Sequence, residues 1–440
     1  MSLAPHGLPK SRVIDVQSEI EDPFLVETNQ THGNWVALSY CWGSSPTAIT
    51  TRQNFQQHCN KIPMSALPQT IKDAIVITRR LGYQFLWIDS LCIIQGSPGD
   101  WAVESLKMAD VYGGASLTIA AEAAIDTASG IFDSTNVFRQ QQSQKFNFSV
   151  KGYHPVYPRD NGRLYLRDSV DLQPSTLKSC LKNRAWALQE DLMSRRLISF
   201  GKEQLYWRCV TQESIEAYPS QPLNLIKLQL SEDYHADFVS RNMKAGKTTL
   251  PSWYGIVNDY TTRRISVQSD LLVGISAVAK VVAEEMGQPP TAYKAGLWEH
   301  DFHEGLLWRR PPECDRSLTR HAEYIAPSWS WASISASDIS TRRIYANAVT
   351  DDVPRRTDAK IIEIVIEHEN DDPFGKVSGG HVKLSGSTLE VCRFKLPPPI
   401  WDSSEDAAKV RADSIGEDIG HMVDPLFHDG TVWEHSLIAH

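Results

Sequence analysis

Two carboxylates in the first third of the chain occupy positions at which a carboxylate can do chemistry. Asp89 ends the otherwise apolar segment QFLWID at 84–89. A carboxylate at the end of a buried strand must be hydrogen-bonded or functional, because leaving it buried and unpaired is costly. Glu104 recurs at helical spacing with Trp101 and Tyr112, on a face that is otherwise apolar or aromatic. We therefore predict Glu104 and Asp89 as the catalytic residues.

Each of these carboxylates also has a structural interpretation. Asp89 can accept hydrogen bonds from neighbouring backbone N–H groups. Glu104 can form a salt bridge to an arginine such as Arg79 or Arg80, since buried glutamates are rare unless they are paired. The residues alone leave both interpretations open.

Three short segments have the composition of the buried strands that would position these carboxylates. They are WVALSY at 35–40, QFLWID at 84–89 and SLTIAA at 116–121. Between them, helical spacing predicts helices over 68–81 and 98–112, each beginning with a proline in its first turn. An alternation of strand and helix predicts an α/β fold with a parallel sheet and right-handed crossovers.

Ligands of such sheets bind beyond the carboxyl ends of the strands, where loops converge. We predict that this edge is formed by residues that follow the strands, by one tryptophan of the second helix and by three residues further along the chain. The predicted substrate-binding set is Ser39, Tyr40, Trp42, Gly43, Cys92, Trp101, Trp186, Gln189 and Glu190. The thiols of Cys41 and Cys92 are more typical of small buried hydrophobes than of nucleophiles.

Composition limits the classes of function open to the chain. It has 440 residues, of which 41% are hydrophobic and 22% charged, and this excludes a mostly disordered or collagen-like protein. Residues 351–440 hold 18 acidic and nine basic residues, and this excess equals the formal charge of −9 for the whole chain. No basic stripe is present, so no nucleic-acid partner is predicted.

The distribution of apolar and cysteine residues indicates a location. No leading apolar segment of the secretory type occurs, and the longest apolar run, Leu271 to Ala279, is too short to span a membrane. The seven cysteines are scattered without a C-x-x-C pair, so neither a zinc site nor a disulfide framework is predicted. We expect a cytoplasmic protein with no metal site and no membrane span.

Long motifs in the first half of the chain closely resemble the heterokaryon incompatibility (HET) domain of filamentous fungi. They are ALSYCWG at 37–43, LPQTIKDAI at 67–75, WIDSLCIIQ at 87–95, DWAVESLKMADVYGGASLTIAA at 100–121 and GIF at 130–132. Further motifs resemble the block that ends this domain and the region that follows it. These are RAWALQEDLMSRRLISF at 184–200, QLYWRC at 204–209, YKAGLW at 293–298, LLWRR at 306–310 and APSWSWAS at 326–333.

The resemblance implies a function and a fold. HET-domain proteins act in fungal self/non-self recognition, in which the domain is the effector of programmed cell death in fused, incompatible cells. The domain is similar to TIR domains, which are flavodoxin-like sheets with helices on both faces, and some TIR domains cleave NAD. By position, Glu104 matches their catalytic glutamate. The resemblance thus implies NAD as a substrate rather than a bound cofactor, and a homo-oligomer or a partner incompatibility protein as the partner.

With the resemblance, the chain divides into five parts. We predict a HET α/β core over 1–133, a linker or insertion over 134–163 and the end of the HET region, a hairpin, over 164–210. A mostly helical, Trp-rich region is predicted over 211–342, and a β-rich acidic region over 343–440.

Other functions fit the same residues. Family members often carry acidic residues directly after CIIQ, whereas this chain has Gly96 and Ser97 there. Fungal chains of this type also occur near genes for specialised metabolites. An enzyme of secondary-metabolite biosynthesis that uses a pocket of the HET fold for a small-molecule ligand is therefore the alternative to the cell-death effector. A third interpretation, a regulator without enzymatic activity, makes Asp89 and Glu104 ordinary stabilising residues.

Overall fold

A computed structural model describes the parts of the chain that build the central sheet. The described residues are 8–9, 11–16, 21–28, 32–45, 47–132, 144–147, 163–166, 179–202, 205–209, 212–216, 250–306, 308, 319–335, 360–385 and 435–436. The chain divides into two compact units, residues 1–349 with 366–379 and residues 350–365 with 380–440.

The strands are numbered in chain order. They are β1 Arg12–Asp15, β2 Phe24–Glu27, β3 Trp35–Ser39, β4 Thr50–Thr51, β5 Phe85–Trp87, β6 Ile94–Gln95, β7 Leu117–Ala120, β8 Gln144–Asn147, β9 Arg163–Leu166, β10 Arg196–Phe200, β11 Leu205–Cys209, β12 Glu213–Ile215, β13 Tyr293–Lys294, β14 Leu297–Trp298, β15 Thr319–Arg320, β16 Ile334–Ser335, β17 Lys360–His368, β18 Val377–Ser385 and β19 His435–Ser436.

The helices are numbered in the same way. The α-helices are α1 Phe55–Asn60, α2 Gln69–Arg80, α3 Asp89–Cys92, α4 Pro98–Ser105, α5 Met108–Gly114, α6 Ala185–Met193, α7 Leu250–Thr262, α8 Val273–Glu285 and α9 Phe302–Gly305. Short 3-10 turns cover Met64–Ala66, Gln268–Asp270, Pro290–Ala292, Glu299–Asp301 and Trp331–Ser333.

Eight strands form one mixed sheet in the order β12-β11-β10-β7-β3-β5-β1-β2. The four central strands β10, β7, β3 and β5 are parallel. The hairpin β1–β2 adds antiparallel to β5 at one edge, and β11–β12 adds antiparallel to β10 at the other. The predicted α/β fold is thus confirmed, and the three strands predicted in the first third of the chain lie side by side at its centre.

The connections between the parallel strands run in two directions. From β3 the chain passes through α2 to β5 on one side, whereas from β7 it passes to β10 on the other side, and β3 and β7 are neighbours. Where the connections from two neighbouring parallel strands leave in opposite directions, a crevice forms beyond the carboxyl ends of those strands. Ligands of α/β sheets bind in this crevice. The right-handed rule places α5 and α6 on the same face of the sheet, and these two helices pack against each other and against α8.

The prediction of one continuous helix over 98–112 is wrong, because α4 and α5 are two separate helices. At the break, the backbone N–H of Lys107 bonds to the carbonyl of Glu104 at 3.0 Å, a tighter turn than that of an α-helix. Met108 and Tyr112 belong to the hydrophobic core, whereas Glu104 is a buried polar residue outside that cluster. Three- and four-residue spacing therefore does not hold across the break.

The motif LPQTIKDAI has a local structural role on α2. Asp73 Oδ2 accepts hydrogen bonds from the backbone N–H groups of Ile131 (2.7 Å) and Phe132 (3.2 Å). Thr70 Oγ1 donates to the carbonyl of Asp126 at 3.0 Å and accepts from the N–H of Gly130 at 3.1 Å. The helix thereby holds the loop that follows β7.

The Trp-rich half contributes helices and an aromatic cluster to the first unit. Trp253, Tyr293 and Trp298 contact one another edge to face, with ring centroids 5.3 to 5.9 Å apart. In the second unit, β18 pairs antiparallel with β19. Nowhere in the described residues is there a helix with the length and apolar character that crossing a membrane requires.

Candidate functional site

A buried glutamate lies at the crevice between β3 and β7. Glu190 of α6 is 3% exposed, and its Oε2 accepts a hydrogen bond from Ser39 Oγ at the end of β3. The pKa of Glu190 is raised to about 7, mainly by burial and in part by the neighbouring charge of Asp89, while the guanidinium of Arg184 and the Ser39 hydroxyl oppose the shift. Near neutral pH, Glu190 can therefore hold or release a proton.

Asp89 lies at the start of α3, directly beyond β5. Its Oδ2 accepts a hydrogen bond from Trp42 Nε1 at 2.9 Å, and its Oδ1 accepts one from the backbone N–H of Ser90 at 2.7 Å. Burial raises the pKa of Asp89 against the opposing influence of Arg184 and these hydrogen bonds. As a residue Asp89 is partly exposed, whereas Glu190 is buried.

Arg184 provides the cation of the site. It precedes α6, and its guanidinium donates a hydrogen bond to the carbonyl of Tyr40. Burial alone would lower the pKa of Arg184, but the carboxylates of Glu190 and Asp89 outweigh it and the pKa is raised. Arg184, Asp89 and Glu190 thus form one coupled group of charges.

Two tyrosines close the site from the protein interior. Tyr40 Oη donates to Ser90 Oγ at 2.9 Å, and Tyr112 Oη donates to the carbonyl of Leu38 at 3.1 Å. Both rings are 1% exposed, and burial raises the pKa of each phenol well above its usual range. These hydroxyls therefore stay protonated and act as hydrogen-bonding groups.

Glu104 belongs to a different cluster. Its carboxylate accepts hydrogen bonds from Ser11 Oγ at 2.6 Å and from Lys107 Nζ at 2.8 Å, and it lies 3.8 Å from Arg12 Nη2. Arg12 also forms a bidentate pair with Asp100, with distances of 2.8 and 2.7 Å. These contacts are typical of a structural ion pair. The arginine partner is Arg12 and not Arg79 or Arg80, which the sequence analysis suggested. Arg79 instead donates to backbone carbonyls.

Cys92 lies between the two clusters. Burial raises the pKa of its thiol to about 12, and both Glu104 and Asp89 lie near enough to raise it, while Arg12 opposes them. The thiol is completely buried, and its sulfur accepts a weak hydrogen bond from the backbone N–H of Ile88 at 3.5 Å. The Cys92 thiol is thus out of reach of a substrate at the crevice, and we assign it as a packing residue.

The remaining predicted residues are divided between the crevice and its surroundings. Gly43 follows Trp42 with a φ of +66°, and a Cβ there would lie 2.2 Å from Asp126 Cβ. Trp101 and Trp186 contact each other edge to face at 5.4 Å. Gln189 does not join the charged group, because its Oε1 accepts from the backbone N–H of Ala277 in α8 at 3.3 Å.

Two charged residues of this edge are absent from the sequence predictions. Arg184 lies outside any helical or strand pattern, and its one sequence signal is its place six residues before Glu190 in the motif RAWALQE. Glu122 follows β7, is 6% exposed and has a pKa raised by burial, and its Oε2 has no hydrogen-bond partner. Within the described ranges, no group of three or more histidine, cysteine, aspartate or glutamate side chains is placed to hold a metal ion.

Comparison with known proteins identifies the family of this region. No curated protein and no solved structure matches the chain. A family model described as "Heterokaryon incompatibility protein (HET)" matches residues 35–190. That range begins at the first residue of β3 and ends at Glu190, so it spans the strands and helices that build the crevice. Residues 35–190 of the chain are therefore similar to the heterokaryon incompatibility (HET) domain.

Proposed function

We propose that this HET domain is an effector of fungal self/non-self recognition that cleaves the N-glycosidic bond of NAD and so causes programmed cell death. The observation that carries the proposal is the group formed by Asp89, Arg184 and Glu190 at the carboxyl edge of a parallel sheet. Perturbed carboxylates beside a specific cation are typical of functional sites. The HET family match supports the biological part of the proposal.

The three residues have separate roles in the proposed reaction. Asp89 is the less buried residue of the two acids, and in the proposed reaction it faces the ribose and stabilises the positive charge that develops on the sugar ring. Arg184 is a cation suited to the diphosphate of NAD. Glu190 is buried and acts as a positioning residue, since its ionisation increases the negative charge of the site.

The reaction balances without a bound cofactor. Water adds to C1′ of the nicotinamide ribose, and the bond between C1′ and the ring nitrogen breaks. Its electron pair goes to that nitrogen, so the cationic pyridinium ring leaves as neutral nicotinamide and needs no general acid. The proton of the attacking water passes to Asp89 and then to solvent. The products are ADP-ribose, nicotinamide and a proton.

Glu104 has a different role in this proposal. Its pairs with Arg12 and Lys107 favour a structural function, whereas a catalytic function remains the prediction from the resemblance. The two assignments differ in a measurable way, because a structural residue lowers stability when it is replaced and a catalytic residue lowers activity.

The test compares nicotinamide release from NAD by the full chain and three variants. Asp89→Asn should abolish turnover, whereas Glu104→Gln should retain it when the rate is corrected for the folded fraction. Asp126→Asn is the matched control, since this carboxylate binds Ser129 and the backbone of its own loop outside the charged group. Self-association would be imposed with a crowding agent. A folded wild type that releases no nicotinamide even when clustered would contradict NAD cleavage and would favour a metabolite enzyme or an interaction module.

A further inference from the structure

Two free cysteines meet beside the charged group. Cys41 directly follows Tyr40 at the end of β3, and Cys180 precedes Arg184 by four residues. Cys41 is buried in a small apolar cluster against which Cys180 packs; its other members are Ala120, Leu181, Ala187 and Leu197. The Cys180 thiol is also near enough to raise the pKa of Cys41. Cys41 is therefore adjacent to Tyr40 in the chain and Cys180 lies four residues before Arg184, the two residues that the hydrogen bond joins.

The two thiols differ in their access to solvent. Cys41 is 2% exposed, and burial raises its pKa to about 12 while the nearby Arg184 opposes the shift. Cys180 is partly exposed at the margin of the cluster. Oxidation of thiols follows their exposure, so a small oxidant reaches Cys180 first and finds Cys41 as its enclosed neighbour.

We propose that Cys41 and Cys180 are a redox modification site, at which a peroxide forms a reversible disulfide that locks the end of β3 to the segment leading into α6. Hydrogen peroxide transfers one oxygen to the Cys180 sulfur, which becomes a sulfenic acid, and water is released. The nearby guanidinium of Arg184 favours the thiolate form of Cys41. The Cys41 sulfur then attacks the Cys180 sulfur, the S–S bond forms and the S–O bond breaks. The hydroxyl group leaves with the Cys41 proton as a second water. Two thiols are oxidised and one peroxide is reduced.

The position of the bond gives it a structural effect on the site. The loop that it closes runs from residue 41 to residue 180, and cross-links across long loops restrict the unfolded chain most. Arg184 already bonds to the carbonyl of Tyr40, so the covalent link would reinforce a contact that exists in the reduced protein. A transient disulfide of this kind suits a reducing compartment, where lasting disulfide frameworks are rare.

The experiment maps the bond directly. The reduced full chain is treated with hydrogen peroxide, free thiols are blocked with N-ethylmaleimide, and the digested protein is analysed by mass spectrometry. We expect a peptide pair joined through Cys41 and Cys180, a Tm raised by about 5–10 °C, and reversal of both by dithiothreitol. Cys180 recovered as a sulfinic acid or as a blocked thiol without the joined pair would overturn the proposal.

Variants separate this bond from other oxidation. Cys180→Ser and Cys41→Ala should each remove both the joined peptide and the rise in Tm. Cys59→Ser is the matched control, because Cys59 is a partly exposed cysteine on α1 and should leave both signals unchanged. A joined pair that persists in Cys180→Ser, or one that links other cysteines, would also count against the assignment. The peptide readout does not depend on NAD turnover, so its failure is distinguishable from failure of the proposed function.

Discussion

The guanidinium of Arg184 donates a hydrogen bond to the main-chain carbonyl of Tyr40, so the residue that enters α6 is tied to the end of β3. This contact holds a cation beside two carboxylates that would otherwise repel each other. Asp89 and Glu190 come from different connections of the sheet, and Arg184 is the charge that both of them share. The electrostatic properties of the site therefore depend on this one arginine.

Replacement of Arg184 should change the ionisation of Glu190. In Arg184→Met the cation is lost but much of the side-chain volume remains, so the pKa of Glu190 should rise above its wild-type value of about 7. Titration followed by NMR of a selectively labelled glutamate would measure the shift. Lys182→Met is the control, since the charge of Lys182 lowers the pKa of Glu122, whereas Arg184 is the cation that lowers the pKa of Glu190. An unchanged Glu190 pKa would show that the arginine does not act on this carboxylate.

The rate of the proposed reaction should depend on pH through Glu190. The ionised form adds negative charge to the site and supports the developing positive charge on the sugar. Because burial raises the pKa of Glu190 to about 7, the rate should rise about tenfold per pH unit below that value and level off above it. Initial rates between pH 5 and 9 would establish the profile, and Glu190→Gln should lack the rise. A rate that falls as Glu190 ionises would contradict its assigned role.

Glu190 should also make the stability of the fold depend on pH. Stability should fall as pH rises, whereas the rate of the proposed reaction should increase. Its pKa in the folded protein lies above that in the unfolded chain, so the folded state binds more protons between about pH 4.5 and 7. The free energy of unfolding contributed by this group therefore falls as pH rises through that window. Glu190→Gln removes the effect and should be about 1–3 kcal/mol more stable relative to wild type at pH 8 than at pH 5. Urea denaturation at the two pH values would measure this difference.

Replacement of Glu104 should lower stability. In Glu104→Gln the ion pairs with Arg12 and Lys107 are lost, but Arg12 keeps its bidentate contact with Asp100, so the loss should be about 1–3 kcal/mol rather than the larger cost of an unpaired buried charge. Thermal and urea unfolding would measure it. Asp110→Asn, at an exposed carboxylate of α5, should change stability by less than about 0.5 kcal/mol. A fully stable but inactive Glu104→Gln would restore the catalytic interpretation.

Gly43 should tolerate no side chain. Gly43→Ala combines a φ of +66° with a Cβ only 2.2 Å from Asp126 Cβ, so we expect a loss of about 3 kcal/mol or more. Gly82→Ala is the matched control, because its φ is +76° but no atom lies within 4 Å of the added Cβ. That variant should lose about 1 kcal/mol from backbone strain alone. Equal losses in the two variants would show that the contact with Asp126 is unimportant.

The end of a strand can be recognised from neighbouring residues in the sequence. For this reason the sequence predicts several of the residues that line the crevice. Ser39 and Asp89 follow apolar runs that form strands, and parallel neighbours bring such ends to one edge. The partners of Glu104 are less predictable. Arg12 lies on β1, an antiparallel strand at the edge of the sheet. The helical spacing around Glu104 does not indicate that Arg12 is its partner.

Arg184 illustrates a second limit. Its importance comes from a backbone carbonyl and two carboxylates that lie far away in the sequence. Residue spacing predicts contacts between residues one or two helical turns apart. The contacts of Arg184 depend instead on where α6 lies in the tertiary structure. Glu104 illustrates the same limit, because its contacts with Ser11 and Arg12 come from residues about 90 positions earlier in the chain.

The hydrogen bond from Ser39 to Glu190 joins residues that are 151 positions apart in the chain. Ribosomes add about 5–20 residues per second, so roughly 8–30 s pass between synthesis of the donor and synthesis of the acceptor. A nascent chain, or one terminated before Arg184, contains the strands of the HET core without the cation or the buried acid. The order of synthesis therefore delays assembly of the charged group until most of the domain has been synthesised. Nascent fragments that end before Arg184 lack this group and so cannot carry out the proposed reaction on the NAD of the cell that makes them.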